Sequence, residues 1–268
     1  MCRLVAYLGA SRPLDDLLDA PHGLSRQAHD PRELQHGTVN VDGTGLTWWR
    51  DGDPAPLRYA TTRPPWADAN LAALAPRLAG HAIVAAVRGG TPGVGYGDGH
   101  VAPFVLGGLA ITHNGWVGGF REGVAARLLR GLPDDLLTQL PVVNDSRVVA
   151  AMVVAHHRAG ASLADAVRTT IVEVADAVRD ADHPATLNLA VADGSQLVLS
   201  RASVDLPGNS LYLSDHLPTW PDAVVVASEP LDGPGDPAWT AVPDGSLVHV
   251  TRVAGRPQAR VTRLHPTI

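Results

Sequence analysis

The only cysteine in this 268-residue chain is its second residue, and an unbroken apolar run, Leu4 to Leu8, follows almost at once. A short run with no polar alternation suits a strand buried on both faces. The one thiol therefore stands at the mouth of a buried strand. Cysteine after an initiator methionine is small enough for Met1 to be clipped, which would leave the α-amine of Cys2 free. An α-amine titrates at about 7.7–8.0, so its neutral form can take the proton of the neighbouring thiol near physiological pH. Nucleophile and base would then share one residue. A lone cysteine is also compatible with plain packing as a small hydrophobe.

Further strands are predicted over Ala82 to Arg88 and Leu106 to Thr112, and a hairpin over Gly43 to Arg50 and Pro56 to Thr61 about Asp51-Gly52-Asp53. Pro13 to Leu18 is expected to open a brief helix, and Ala67 to Leu78 has helical spacing. The clearest helices are Arg147 to Arg158 and Leu163 to Arg179, the second opened by a capping box at Ser162 and Asp165. After Pro184 the apolar period becomes that of strands, over Thr186 to Ala192, Gln196 to Ala202, Leu211 to Leu213, Ala223 to Ala227 and Ser246 to Val253. Strands, helices, then strands fit an α+β fold: a four-layer α/β/β/α sandwich, with two antiparallel sheets face to face and helices outside. One domain over 1–268 is expected.

The formal net charge of −6 and the absence of any basic run argue against a nucleic-acid partner. No stretch approaches a membrane span. A single cysteine rules out an internal disulfide framework and fits a reducing compartment, and the scattered histidines lack metal-ligand spacing. A cytoplasmic protein with a small-molecule partner is expected.

Thiolate attack on an amide needs an oxyanion hole, and the asparagine amide and glycine N–H of His113-Asn114-Gly115 offer one at a predicted strand end. Asn-Gly alone equally signals a hairpin turn. Arg88, ending an apolar strand, can fork onto a carboxylate. Asp145 can answer an ammonium group, and as the residue before a helix it can equally be a cap. Half of the twelve aromatic residues are tryptophans. Trp116, next to His113-Asn114-Gly115, is the one expected to face substrate.

Met1-Cys2-Arg3, Asn40-Val41-Asp42-Gly43-Thr44-Gly45, Arg88, His113-Asn114-Gly115 and Asp145-Ser146 together resemble, in order and spacing, the class II glutamine amidotransferases of the N-terminal-nucleophile superfamily. Pro21-His22-Gly23-Leu24, Gly37-Thr38-Val39-Asn40 and Ala227-Ser228-Glu229-Pro230-Leu231-Asp232 narrow the resemblance to its branch acting on γ-glutamyl hercynylcysteine sulfoxide in ergothioneine biosynthesis. Thr44 departs from the family, which usually has an aromatic residue there. The resemblance implies Cys2 as nucleophile and base, Asn114 and Gly115 as oxyanion hole, and Arg88 with Asp145 as a clamp on the glutamyl group. His113 and Trp116 join the substrate-binding set, and no metal or organic cofactor is required. Two other functions use the same residues: a glutaminase subunit feeding ammonia to a separate synthetase, and a retired γ-glutamyl-binding module. A homo-oligomer is compatible with each.

Overall fold

The computed structural model describes residues 2–90, 95–233 and 235–264; Met1, on which the expected clipping falls, lies outside them. The strands of the described residues are β1 (Arg3–Pro13), β2 (Thr44–Trp49), β3 (Leu57–Thr61), β4 (Ala79–Val87), β5 (Phe104–Leu106), β6 (Leu109–Val117), β7 (Ala185–Ala192), β8 (Leu197–Arg201), β9 (Ser203–Val204), β10 (Tyr212–Ser214), β11 (Val224–Ala227), β12 (Thr240–Ala241), β13 (Ser246–Val253) and β14 (Arg256–Arg263). The helices are α1 (Asp15–Leu18), α2 (Leu24–His29), α3 (Ala69–Leu74), α4 (Val124–Leu129), α5 (Asp134–Leu137), α6 (Asp145–Arg158) and α7 (Leu163–Arg179).

Two antiparallel sheets form. One runs β12-β10-β11-β1-β4-β2-β3, the other β14-β13-β8-β7-β6-β5, with β9 beside β7. Strand alternation explains the apolar run that opens the chain. Leu4, Ala6 and Leu8 point into the core between the sheets, whereas Val5 and Tyr7 point into the core shared with α1, α2 and α3. Both faces of β1 are thus dry from Leu4 to Leu8. β4 divides in the same way, with Ala82, Val84 and Ala86 inward and Ile83, Ala85 and Val87 outward. On the far side Leu187, Leu189 and Val191 of β7 pack under α6 and α7. The layers are α/β/β/α, as the strand and helix order implied.

Four local expectations need correction. β1 continues to Pro13, so the first helix starts only at Asp15. The helix expected over Ala67 to Leu78 is broken into α3 between two 3-10 turns, because Pro76 has no N–H to continue it; Asp68 caps α3 through the amides of Asn70 and Leu71. The strand expected over Leu106 to Thr112 is the hairpin of β5 and β6, which turns at Gly107 and Gly108, with φ of 59° and 82°. Asn114-Gly115 is no turn but lies inside β6, with Asn114 opposite Asn188 of β7. The Ser162 cap of α7 is present: its Oγ accepts the Asp165 amide at 3.1 Å. Among the described residues, no helix is long and apolar enough to cross a membrane.

β1 is held at its first residues by charge as well as by ladder bonds. Arg3 is fully buried, and its Nη1 lies 3.5 Å from Glu229 Oε1. The same carboxylate accepts from the Arg32 amide at 3.0 Å and the Glu33 amide at 3.0 Å, and meets His22 Nε2 at 2.7 Å. Burial pushes the Glu229 pKa up, but His22, the two amides and the Arg3 charge outweigh it and hold the carboxyl below its ordinary 4.5. A lowered carboxylate pKa adds stability that is complete above the ordinary value and disappears as pH falls through the folded one. Glu229→Gln should cost about 3–5 kcal/mol at neutral pH, because Arg3 stays buried without its counter-charge. In denaturant titrations the gap to wild type should narrow as pH drops below 4.5; a gap that stays constant with pH would contradict this role.

Candidate active site

The inter-sheet core is apolar through most of its length and turns polar where β1 begins. Parity with Leu4 and Ala6 sends the half-buried Cys2 side chain into the gap between the sheets. Parity with Ala110 sends Asn114 into the same gap from β6. Asn114 is completely buried; its Nδ2 reaches Ser228 Oγ across the gap at 3.4 Å, and its Oδ1 has no partner among the described residues. Its backbone carbonyl accepts from Asn209 Nδ2 at 3.0 Å, and Asn188 Nδ2 donates to the Asn209 carbonyl at 3.1 Å.

Cys2, Arg88, His113, Gly115 and Asp145 line one cleft, bounded also by His100 and Phe104. Gly115 has to be glycine, because a Cβ there would run into the Thr186 carbonyl and the His113 ring. N–H groups two residues apart on a strand share an edge. The Val117 amide donates to Asp145 Oδ2 at 3.1 Å, so the Gly115 N–H faces that same edge of β6, toward the cleft.

Arg88 follows β4 directly and is tied by its backbone: its amide donates to the Gly43 carbonyl at 2.8 Å and its carbonyl accepts from Asp42 at 2.9 Å. Nη2 donates to the Gly95 carbonyl at 3.1 Å, while the buried Nη1 has no partner among the described residues. A buried cation with an unused donor, in the wall of a cleft, is poised for an anion. Asp145 is the first residue of α6 and not its cap. Asn144 caps the helix, its Oδ1 accepting the Arg147 amide at 2.8 Å, while Asp145 Oδ1 accepts from the Ser146 amide at 2.8 Å.

His113 Nε2 must donate to the Thr186 carbonyl at 2.9 Å, which leaves Nδ1 to accept from Ser146 Oγ at 3.0 Å. Burial lowers the His113 pKa against the opposing pull of Asp145 and the Thr186 carbonyl, so the ring stays neutral. With both nitrogens engaged it braces the turn that carries Asp145. Trp116 is partly exposed beside this wall, opposite Thr186 on β7, and does not line the cleft. In the far wall Arg147 stacks 4.0 Å from the Phe104 ring and binds the Gly99 carbonyl at 2.9 and 2.7 Å. Burial, with Arg88 and Arg147 adding to it, lowers the His100 pKa. Thr44, where an aromatic residue is usual, is buried and donates to the Arg63 carbonyl at 2.8 Å.

A protein of Mycolicibacterium smegmatis named gamma-glutamyl-hercynylcysteine sulfoxide hydrolase is 37% identical over 251 residues, 93% of this chain and 96% of its own length. A Mycobacterium tuberculosis protein of the same name is 36% identical over 94% of each chain. The chain belongs to the gamma-glutamyl-hercynylcysteine sulfoxide hydrolase family. It is accordingly a hydrolase of C–N amide bonds. A solved glutamine aminotransferase class-II domain protein from Silicibacter pomeroyi superimposes with a TM-score of 0.70 over 99% of this chain and 100% of its own, at 23% identity, which shows the shared fold. No family model matches the chain.

Sequence reasoning passed over Asn188, Asn209, the pair of Arg3 with Glu229, and His100. One sign was present: an asparagine inside the otherwise apolar strand of Thr186 to Ala192 has to be satisfied internally. Gly115→Ala should lower the melting temperature and abolish most activity, because β6 and β7 cannot keep their register around a methyl group. Wild-type melting and turnover would contradict that account of Gly115.

Proposed function

We propose that the chain hydrolyses γ-glutamyl hercynylcysteine sulfoxide to glutamate and the free amine, as a cytoplasmic step of ergothioneine biosynthesis. The observation that carries this reading is the cleft lined by Cys2, by Arg88 with a guanidinium nitrogen that has no partner among the described residues, and by Asp145. Arg88 Nη1 takes the α-carboxylate of the glutamyl group, and Asp145 takes its α-ammonium. Cys2 Sγ then attacks the γ-carbonyl carbon as the α-amine of Cys2, freed of Met1, accepts the thiol proton. Asn114 Nδ2–H and the Gly115 N–H hold the oxyanion.

Collapse of the tetrahedral intermediate breaks the C–N bond, and the α-ammonium returns its proton to the departing amine. Water attacks the resulting thioester with the α-amine as base, releasing glutamate and the thiol. His113 fixes the turn that carries Asp145. The names of the relatives favour hydrolysis over supply of ammonia to a partner synthetase. A full set of reactive and recognition residues speaks against a retired binding module.

Intact mass of active protein should show Met1 removed, since an acylated amine cannot serve as base. Active enzyme that retains Met1 would sink the single-residue mechanism. Arg88→Lys should lower kcat/KM for the γ-glutamyl substrate by roughly 10–100-fold, the worth of a charge-assisted hydrogen bond. Asp145→Asn should discriminate less against a des-amino analogue. If neither variant changes selectivity, the glutamyl assignment fails.

A further inference from the structure

The stretch Ala227-Ser228-Glu229-Pro230 has no place in the mechanism above, yet it touches both halves of the reacting apparatus. Ser228 is fully buried immediately after β11. Its Oγ accepts from the Leu4 amide at 3.0 Å and from Asn114 Nδ2 at 3.4 Å, and its own amide donates to the Leu4 carbonyl at 2.9 Å. Leu4 stands two residues after Cys2 in the strand that carries the thiol. Asn114 comes from the opposite sheet. One oxygen thus bridges the element that bears the nucleophile and the side chain that offers an oxyanion donor.

We infer that Ser228 is a positioning residue that ties the Asn114 amide to the strand of Cys2 and sets the orientation of that amide, an inference that rests on the roles proposed above for those two residues. A serine hydroxyl has two acceptor lone pairs, and here both are used by N–H groups. The Asn114 amide is thereby turned with Nδ2 toward Ser228, and its second N–H is left for the oxyanion. The alternative rotamer would present Oδ1 to a developing negative charge, and among the described residues Ser228 alone holds the amide, because Oδ1 has no partner there. Glu229, the next residue, grips Arg3 from the other face of the sheet, so residues 228 and 229 together fix residues 3 and 4. Catalytic donors work through preorganisation, and a donor free to turn loses that advantage.

The test measures hydrolysis of the γ-glutamyl substrate beside alkylation of Cys2 by a small neutral electrophile, read by peptide mass. Alkylation needs the thiol in place but no oxyanion hole. Asn114→Ala should lower kcat by roughly 10²–10³. Ser228→Ala should lower kcat by about tenfold or more, part of that same loss, with KM and the alkylation rate close to wild type. The double variant should be no slower than Asn114→Ala alone, because Ser228 acts through that amide.

Parallel loss of hydrolysis and alkylation would reduce Ser228 to a structural residue, and losses that multiply in the double variant would detach it from Asn114. Either result overturns the inference. If Asn114→Ala is impaired and Ser228→Ala is not, this inference alone falls; if Asn114→Ala keeps wild-type kcat, the oxyanion assignment falls and takes this inference with it. Should Ser228→Ala fail to fold, Ser228→Cys fills the site with a weak acceptor and must show the same fall in kcat; full activity there would also overturn it.

Discussion

The structure depends on the antiparallel pairing of β1 between β4 and β11. Arg3 pairs with Val87 on one side and Val5 with Ala227 on the other, so the first residues of the chain are clamped at the rim of a sheet whose two faces are both covered. Ordering a stretch of backbone is entropically costly. Here ladder bonds on both edges, apolar burial on both faces and the buried pair of Arg3 with Glu229 offset that cost together. The residues of the proposed site neighbour the same three strands: Arg88 just past β4, Ser228 just past β11, and Cys2 just before β1.

A second constraint is the change of character in the inter-sheet layer. Most of it is dry and filled by alanine, valine and leucine. At the end nearest Cys2 the layer holds the amides of Asn114, Asn188 and Asn209. Polar groups in such surroundings interact more strongly than in water and reorganise less. That setting favours stabilising a transient oxyanion over binding a neutral amide. His113, neutral and bonded at both nitrogens, adds rigidity without adding charge.

The layered architecture was legible because strand and helix periods are strong where both flanks are buried: β1, β4, α6 and α7 follow from their apolar patterns. Cys2, Arg88, His113, Gly115 and Asp145, separated by up to 143 positions, line one cleft. What failed was local chemistry with two readings. Asn114-Gly115 looks like a turn but serves as strand, because the glycine admits the Thr186 carbonyl. Gly107-Gly108, inside a stretch taken for strand, is the true turn. Asp145 has the composition of a cap, yet Asn144 takes that position and leaves Asp145 in the cleft wall. The partners of Glu229 lie about 200 residues away in sequence, at His22, Arg32 and Glu33, and pairing over such distances leaves no local pattern to read.

The central claim is that the Cys2 thiol takes the glutamyl group covalently before water does. Acid quench during turnover, followed by intact and peptide mass, tests it directly. The account predicts one glutamyl group on the Cys2 peptide, lost on treatment with hydroxylamine and never formed in Cys2→Ala. Turnover by Cys2→Ala, or a glutamyl adduct on any other residue, would contradict it.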